Sequence, residues 1–169
     1  AIGPRAYNRL YASMRNVNRI LAWGHARAIE NLLEKVPDCP RAVSDQFGPA
    51  RQIQQALMKK GRSIQLVQRP RAESDPAVAG ASILARAGFL HALQQMQKQY
   101  ELPVPKGASA LVQETAVKLV KSRGPEVLLD TAKCHFKTTE EVLAKSGLDR
   151  SALGPEGQAI SKSMQKNEE

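Results

Sequence analysis

A chain of 169 residues is long enough for one domain, or for a small domain with an extension. Apolar residues make up 42% and aromatics only 4%, so the core must be built from Leu, Ile, Val and Ala, with strand formers scarce. The formal charge is +9, and no apolar run approaches the ~20 residues that cross a bilayer, which argues against a membrane span. Residues 1–74 carry 13 Lys and Arg against 5 Asp and Glu, whereas residues 75–169 carry 12 against 11. The basic surplus therefore belongs to the first half, which should attract acidic protein, nucleic acid or anionic lipid. Within residues 1–30 every basic group is Arg, the side chain suited to bidentate contact with carboxylate or phosphate. Cys39 and Cys134 fit no short metal or redox spacing, and reduced thiols are expected. The start at Ala1 leaves a removed targeting peptide and a trimmed chain both open.

Pro4 suits the first turn of a helix. Tyr7, Leu10, Tyr11, Met14, Val17 and Leu21 then recur at three- and four-residue steps, with Arg5, Arg9, Arg15 and Arg19 largely off that stripe. Trp23-Gly24 reads as a bend, and a second helix is predicted from His25 to Val36, stopped by Pro37. Residues 37–50 hold three prolines and a glycine and read as loop. A third helix is predicted from Pro49, burying Ile53, Leu57, Ile64 and Val67. Gly61 in its interior costs about 1 kcal/mol against Ala and reads either as a merely tolerated glycine or as a close approach of another backbone or a ligand. Residues 69–74 read as a linker. Asp75-Pro76 then reads as the N-cap and first turn of a helix to Tyr100, rich in Ala and Gly. Beyond the extended Leu102–Pro105 stretch, helices are predicted over 109–122, from Gly124-Pro125 to Phe136, and from a Thr138/Glu141 capping box to Ser146, with Gly147 as its stop. A last helix is expected over 155–164, and Lys166 to Glu169 should fray. The fold class read from this pattern is all-α.

No catalytic pattern stands out. His25, His91 and His135 are scattered, and adjacent Cys134-His135 cannot place both side chains on one metal as an i, i+4 pair could. Glu140-Glu141 are explained by a helix start. The glycines follow no phosphate-binding pattern. The expectation is therefore a non-enzyme with no cofactor of its own.

Leu10-Tyr11 within RLYASMR resembles the signature of the mitochondrial LYR-motif family. Gly61, in QALMKKGRSIQLVQR and fifty positions after Tyr11, resembles the family's Lys-Gly in its third helix. The likeness covers about residues 4–71 and is nearest the LYR-type accessory subunits of respiratory complex I. It departs at Ala12, where the family has Arg, and in the absence of a second-helix Phe. The resemblance implies a three-helix bundle over 1–71 with a helical extension over 72–169. It also implies binding of an acidic acyl carrier protein, with the acylated phosphopantetheine of that partner entering the bundle. The partner-binding residues it implies are Arg9, Leu10, Tyr11, Arg15, Arg19, Lys59, Lys60, Gly61 and Arg62.

The expected function is a non-catalytic accessory subunit of an inner-membrane respiratory-chain complex, on the matrix side of the mitochondrion and serving electron transport. The competing expectation is a mitochondrial ribosomal protein whose basic half contacts rRNA.

Overall fold

The computed structural model describes residues 1–49 and 51–161 as two compact units. One is formed by residues 1–15 with 88–169 and the other by residues 16–87.

In the first unit, α1 (Pro4–Met14) carries Tyr7, Asn8 and Tyr11 on its buried side. It lies against α6 (Val127–Thr131) and the turn at Pro155–Gly157. The Asn8 amide donates to the carbonyls of Leu129 (3.1 Å) and Ala132 (2.9 Å), and its Oδ1 accepts the Cys134 N–H at 2.9 Å. One buried side chain thereby satisfies three backbone groups that would otherwise be costly to bury. At the rim, Arg5 pairs with Asp130 at 2.5 Å and Arg9 with Glu156 at 2.6 Å. α5 (Ala110–Arg123), α6 and α7 (Lys137–Lys145) close on a core of Leu119, Val120, Leu128, Leu129, Val142 and Leu143. Gly147, at φ +74°, ends α7, and the Leu148 N–H returns to the Leu143 carbonyl at 2.9 Å.

The second unit opens on α2 (Val17–Leu33). The apolar stripe of the sequence runs unbroken past residue 15, but the helix does not. Arg15 adopts a left-handed conformation (φ +50°), and the Asn16 side chain accepts the Arg19 N–H to start α2. The bend expected at Trp23-Gly24 is absent, and α2 continues through it.

The all-α expectation is overturned in this unit. The stretch taken for loop contains a strand, β1 (Arg41–Asp45), and the predicted third helix is cut short. Only α3 (Arg51–Ala56) remains of it; a tight turn follows at Gly61–Ser63, then β2 (Gln65–Arg69). β1 and β2 pair in parallel, Arg41 opposite Gln65 and Asp45 opposite Arg69. The chain is therefore not a three-helix bundle over residues 1–71. The physical reason sits at Gly61, whose N–H donates to the buried Glu30 carboxylate at 2.7 Å. An added Cβ there would lie 2.8 Å from Glu30 Oε1 and 2.7 Å from Leu57 Cδ2. The close approach lies in the turn at Gly61–Ser63, after α3 has already ended at Ala56.

A turn at Ala72–Ser74 leads into α4 (Pro76–Tyr100). α4 begins where Asp75-Pro76 predicts, yet none of its side chains is buried, and Ile83 and Leu84 are 69% and 74% exposed. One window of 18 residues in it has a mean hydropathy of 1.3, so by length and composition alone it could cross a membrane. Arg86 interrupts the apolar run, which is why no continuous span shows in the sequence. The expected helix over 155–164 is a short turn at Pro155–Gly157, its end from residue 162 lying outside the described residues, as do Lys166 to Glu169.

Candidate active site

The parallel pair decides where chemistry can be placed. Both strands end on the same edge, β1 at Asp45 and β2 at Arg69, and ligands of α/β sheets collect at the carboxyl ends of the strands. The chain after β2 turns back over that edge. Ala72, fully buried, donates its N–H to Asp45 Oδ1 at 3.2 Å and accepts the Asp75 N–H on its carbonyl at 2.9 Å. Ala72 thus holds the Asp45 carboxylate through its N–H and the Asp75 backbone through its carbonyl. Asp45 is exposed, and the Asp75 side chain is 22% exposed.

Asp75 Oδ1 caps α4 through the Ala77 N–H at 3.0 Å, while Oδ2 meets Arg69 Nη2 at 3.4 Å. Behind Asp45, the buried Ser44 hydroxyl bonds to the Asp45 carbonyl at 3.0 Å and to His25 Nδ1 at 3.1 Å. The His25 ring also packs against Phe47, 5.1 Å between centroids. Burial pushes the His25 pKa down, and the nearby Asp45 charge opposes that shift.

Two carboxylates are hard oxygen donors of the type that divalent Mg²⁺ and Mn²⁺ prefer. They fit such an ion in kind, although among the described residues no cluster of three His, Cys, Asp or Glu side chains forms a closed cage. Neither Asp45 nor Asp75 was singled out from the sequence as a functional residue. Asp75 was absorbed by its role as a helix cap, and Asp45 lay in a stretch read as loop. The available signal was a short Ala-Val run ending in Asp, followed some twenty residues later by the alternating Ile64, Leu66 and Gln68.

The residues expected to bind a partner fall into two groups, one in each unit. In the first, Arg9 is engaged by Glu156, Leu10 is half-buried, and Tyr11 is 3% exposed and stacks on His135 with 3.9 Å between ring centroids. Arg15 is exposed at the end of α1. In the second, Arg19 and Lys59 are exposed, Lys60 lies 3.6 Å from Glu34, and Gly61 is buried against Glu30. Arg62 folds back on the Leu57 carbonyl at 2.9 Å.

The family model described as Ribonuclease HII matches residues 5–139. The chain belongs to the ribonuclease HII family. Ribonuclease HIII of Chlamydia pneumoniae is 44% identical over 140 residues, which are 82% of this chain and 47% of that protein. Ribonuclease HIII of Protochlamydia amoebophila is 41% identical over 146 residues, covering 86% and 48%. Among solved structures, Bst-RNase HIII in complex with Mn²⁺ superposes with a TM-score of 0.78 at 31% identity, covering 86% of this chain and 49% of that one. RNase H3 of Aquifex aeolicus gives 0.57 at 29% identity, covering 78% and 45%. The chain spans about half the length of the curated relatives it matches.

Membership of the ribonuclease HII family overturns the LYR resemblance and what was drawn from it. The relatives are nucleases, so the non-catalytic accessory subunit of a respiratory chain is replaced, and the ribosomal alternative with it. They are bacterial, so the mitochondrial placement falls. Nothing supports acyl carrier protein or respiratory subunits as partners, and a Mn²⁺-bound relative replaces the acylated phosphopantetheine and the expectation of no metal. The sequence misled because Leu-Tyr is a two-residue signal, and here Tyr11 is a core residue facing His135.

Proposed function

We propose that this chain contributes the carboxylates Asp45 and Asp75 to a metal-dependent ribonuclease that cleaves the RNA strand of RNA–DNA hybrids. The observation that carries this reading is the pair of hydrogen bonds by which Ala72 holds the Asp45 carboxylate and the Asp75 backbone N–H at the carboxyl edge of the parallel strands. Membership of the family supports it, as does a related structure that contains Mn²⁺. A divalent cation bound there polarises the scissile phosphate and lowers the pKa of a bound water.

The chain's own groups have separable tasks. Asp45 Oδ1 is taken by the Ala72 N–H, which leaves Oδ2 as the oxygen for a cation. Arg69 holds the Asp75 side chain at the edge and offers a planar guanidinium to a phosphate. The basic surplus of residues 1–74 suits a polyanionic substrate. Two carboxylates leave most of a six-oxygen shell to water.

The test measures cleavage of an end-labelled RNA–DNA hybrid with Mn²⁺. Asp45→Asn and Asp75→Asn should each lower kcat/KM by about a thousandfold. Variants that cleave at the unaltered rate would remove both residues from the site.

A further inference from the structure

Asp45 is the last residue of its strand, and its carboxylate direction depends on the peptide that carries it. Asp45 is held from three directions. The strand ladder sets Asp45 opposite Arg69, and the Gln46 N–H extends it to the Arg69 carbonyl at 3.2 Å. The Ala72 N–H holds Oδ1. The third restraint is the Ser44 hydroxyl on the Asp45 carbonyl.

A hydroxyl has one proton. With that proton donated to the Asp45 carbonyl at 3.0 Å, the 3.1 Å contact to His25 requires the hydrogen to lie on Nδ1. His25 is then the donor, and Ser44 passes its restraint to the strand end. Ser44 is 4% exposed, so water does not replace a lost donor easily. His25 itself is set by α2 and by its packing on Phe47, two residues beyond Asp45.

We propose that His25 is a positioning residue for the cation site, acting through the Ser44 hydroxyl to fix the peptide that carries Asp45. This rests on the reading of Asp45 as a metal-binding carboxylate. His25 touches neither the cation nor the substrate. Its contribution is to narrow the directions that Asp45 Oδ2 samples, the role that partners of metal-bound groups perform generally.

The experiment titrates the 169-residue chain with Mn²⁺ alone, following free Mn²⁺ by electron paramagnetic resonance, with thermal unfolding of each variant alongside. His25→Phe keeps the ring and loses the donor, and should weaken Mn²⁺ binding about tenfold. His25→Asn places an N–H near the position of Nδ1 and should restore binding to within about a factor of two. Ser44→Ala should match His25→Phe, and the double variant should be no weaker than either single one. Ser44→Ala also carries the test should His25→Phe fail to fold. The inference is overturned if His25→Phe or Ser44→Ala binds Mn²⁺ as the unaltered chain does. It is equally overturned if His25→Asn is as weak as His25→Phe while both unfold at the unaltered temperature. Asp45→Asn separates the two levels: if it leaves Mn²⁺ binding intact, the carboxylate reading fails and this inference falls with it. Loss on Asp45→Asn with no effect at His25 overturns this inference alone.

Discussion

Tyr11 and His135 stack in the first unit with Tyr7 and Phe136 beside them, and neither ring nitrogen of His135 has a hydrogen-bond partner among the described residues. Burial first, then the charges of Lys133 and Arg150, push the His135 pKa down to about 4. In the unfolded chain the ring titrates near 6.5. Between those values the unfolded state binds the extra proton, so this contribution to stability is complete above about pH 6.5 and is lost as pH falls toward 4. Urea unfolding at pH 7 and pH 4.5 should show a loss of about 2 kcal/mol attributable to this ring. His135→Phe should flatten that part of the pH profile, and an unchanged profile would assign the acid sensitivity elsewhere. At this scale the sequence showed which residues were apolar or charged, but not which were brought together. The pairing of Tyr11 with His135 spans more than a hundred residues. Asp75 was visible as a helix cap, and its capping bond to Ala77 exists, yet that local explanation hid the role proposed for it with Asp45.

Among the elements, the helices with strong periodicity or a Pro start were legible, and α4 begins where its N-cap predicts. The strands were not. Each is five residues long, with only two apolar side chains in each, too few to show an alternating period against the helical steps on either side. The joint between α1 and α2 was hidden because a break at Arg15 leaves the apolar spacing intact. The turn at Gly61 is the element-level test of this account. Gly61→Ala should destabilise by about 1–3 kcal/mol in urea unfolding, since the new Cβ would press on Leu57 and Glu30. Glu30→Ala should cost about 1–3 kcal/mol by leaving the Gly61 and Lys60 N–H groups without their carboxylate. A helix that truly continued through residue 61 would instead gain from the alanine.

For the whole molecule, charge left acidic protein, nucleic acid and anionic lipid all open as partners. A basic first half suits a polyanion, and the proposed substrate is one. Hybrid binding should therefore weaken steeply as salt rises, and a flat salt response would count against phosphate contacts. The anchoring of Asp45 and Asp75 to Ala72 has a consequence for how this fold tolerates length change. Because Ala72 holds the Asp45 carboxylate and the Asp75 backbone, while Arg69 meets the Asp75 carboxylate, the count of residues from Arg69 to Asp75 sets how the two aspartates are placed. One glycine inserted between Arg71 and Ala72 should abolish Mn²⁺ binding with helical circular dichroism unchanged. The same insertion between Lys106 and Gly107, in an exposed loop, should pass without effect. Insertions and deletions, more than substitutions, are what this corner of the chain cannot absorb.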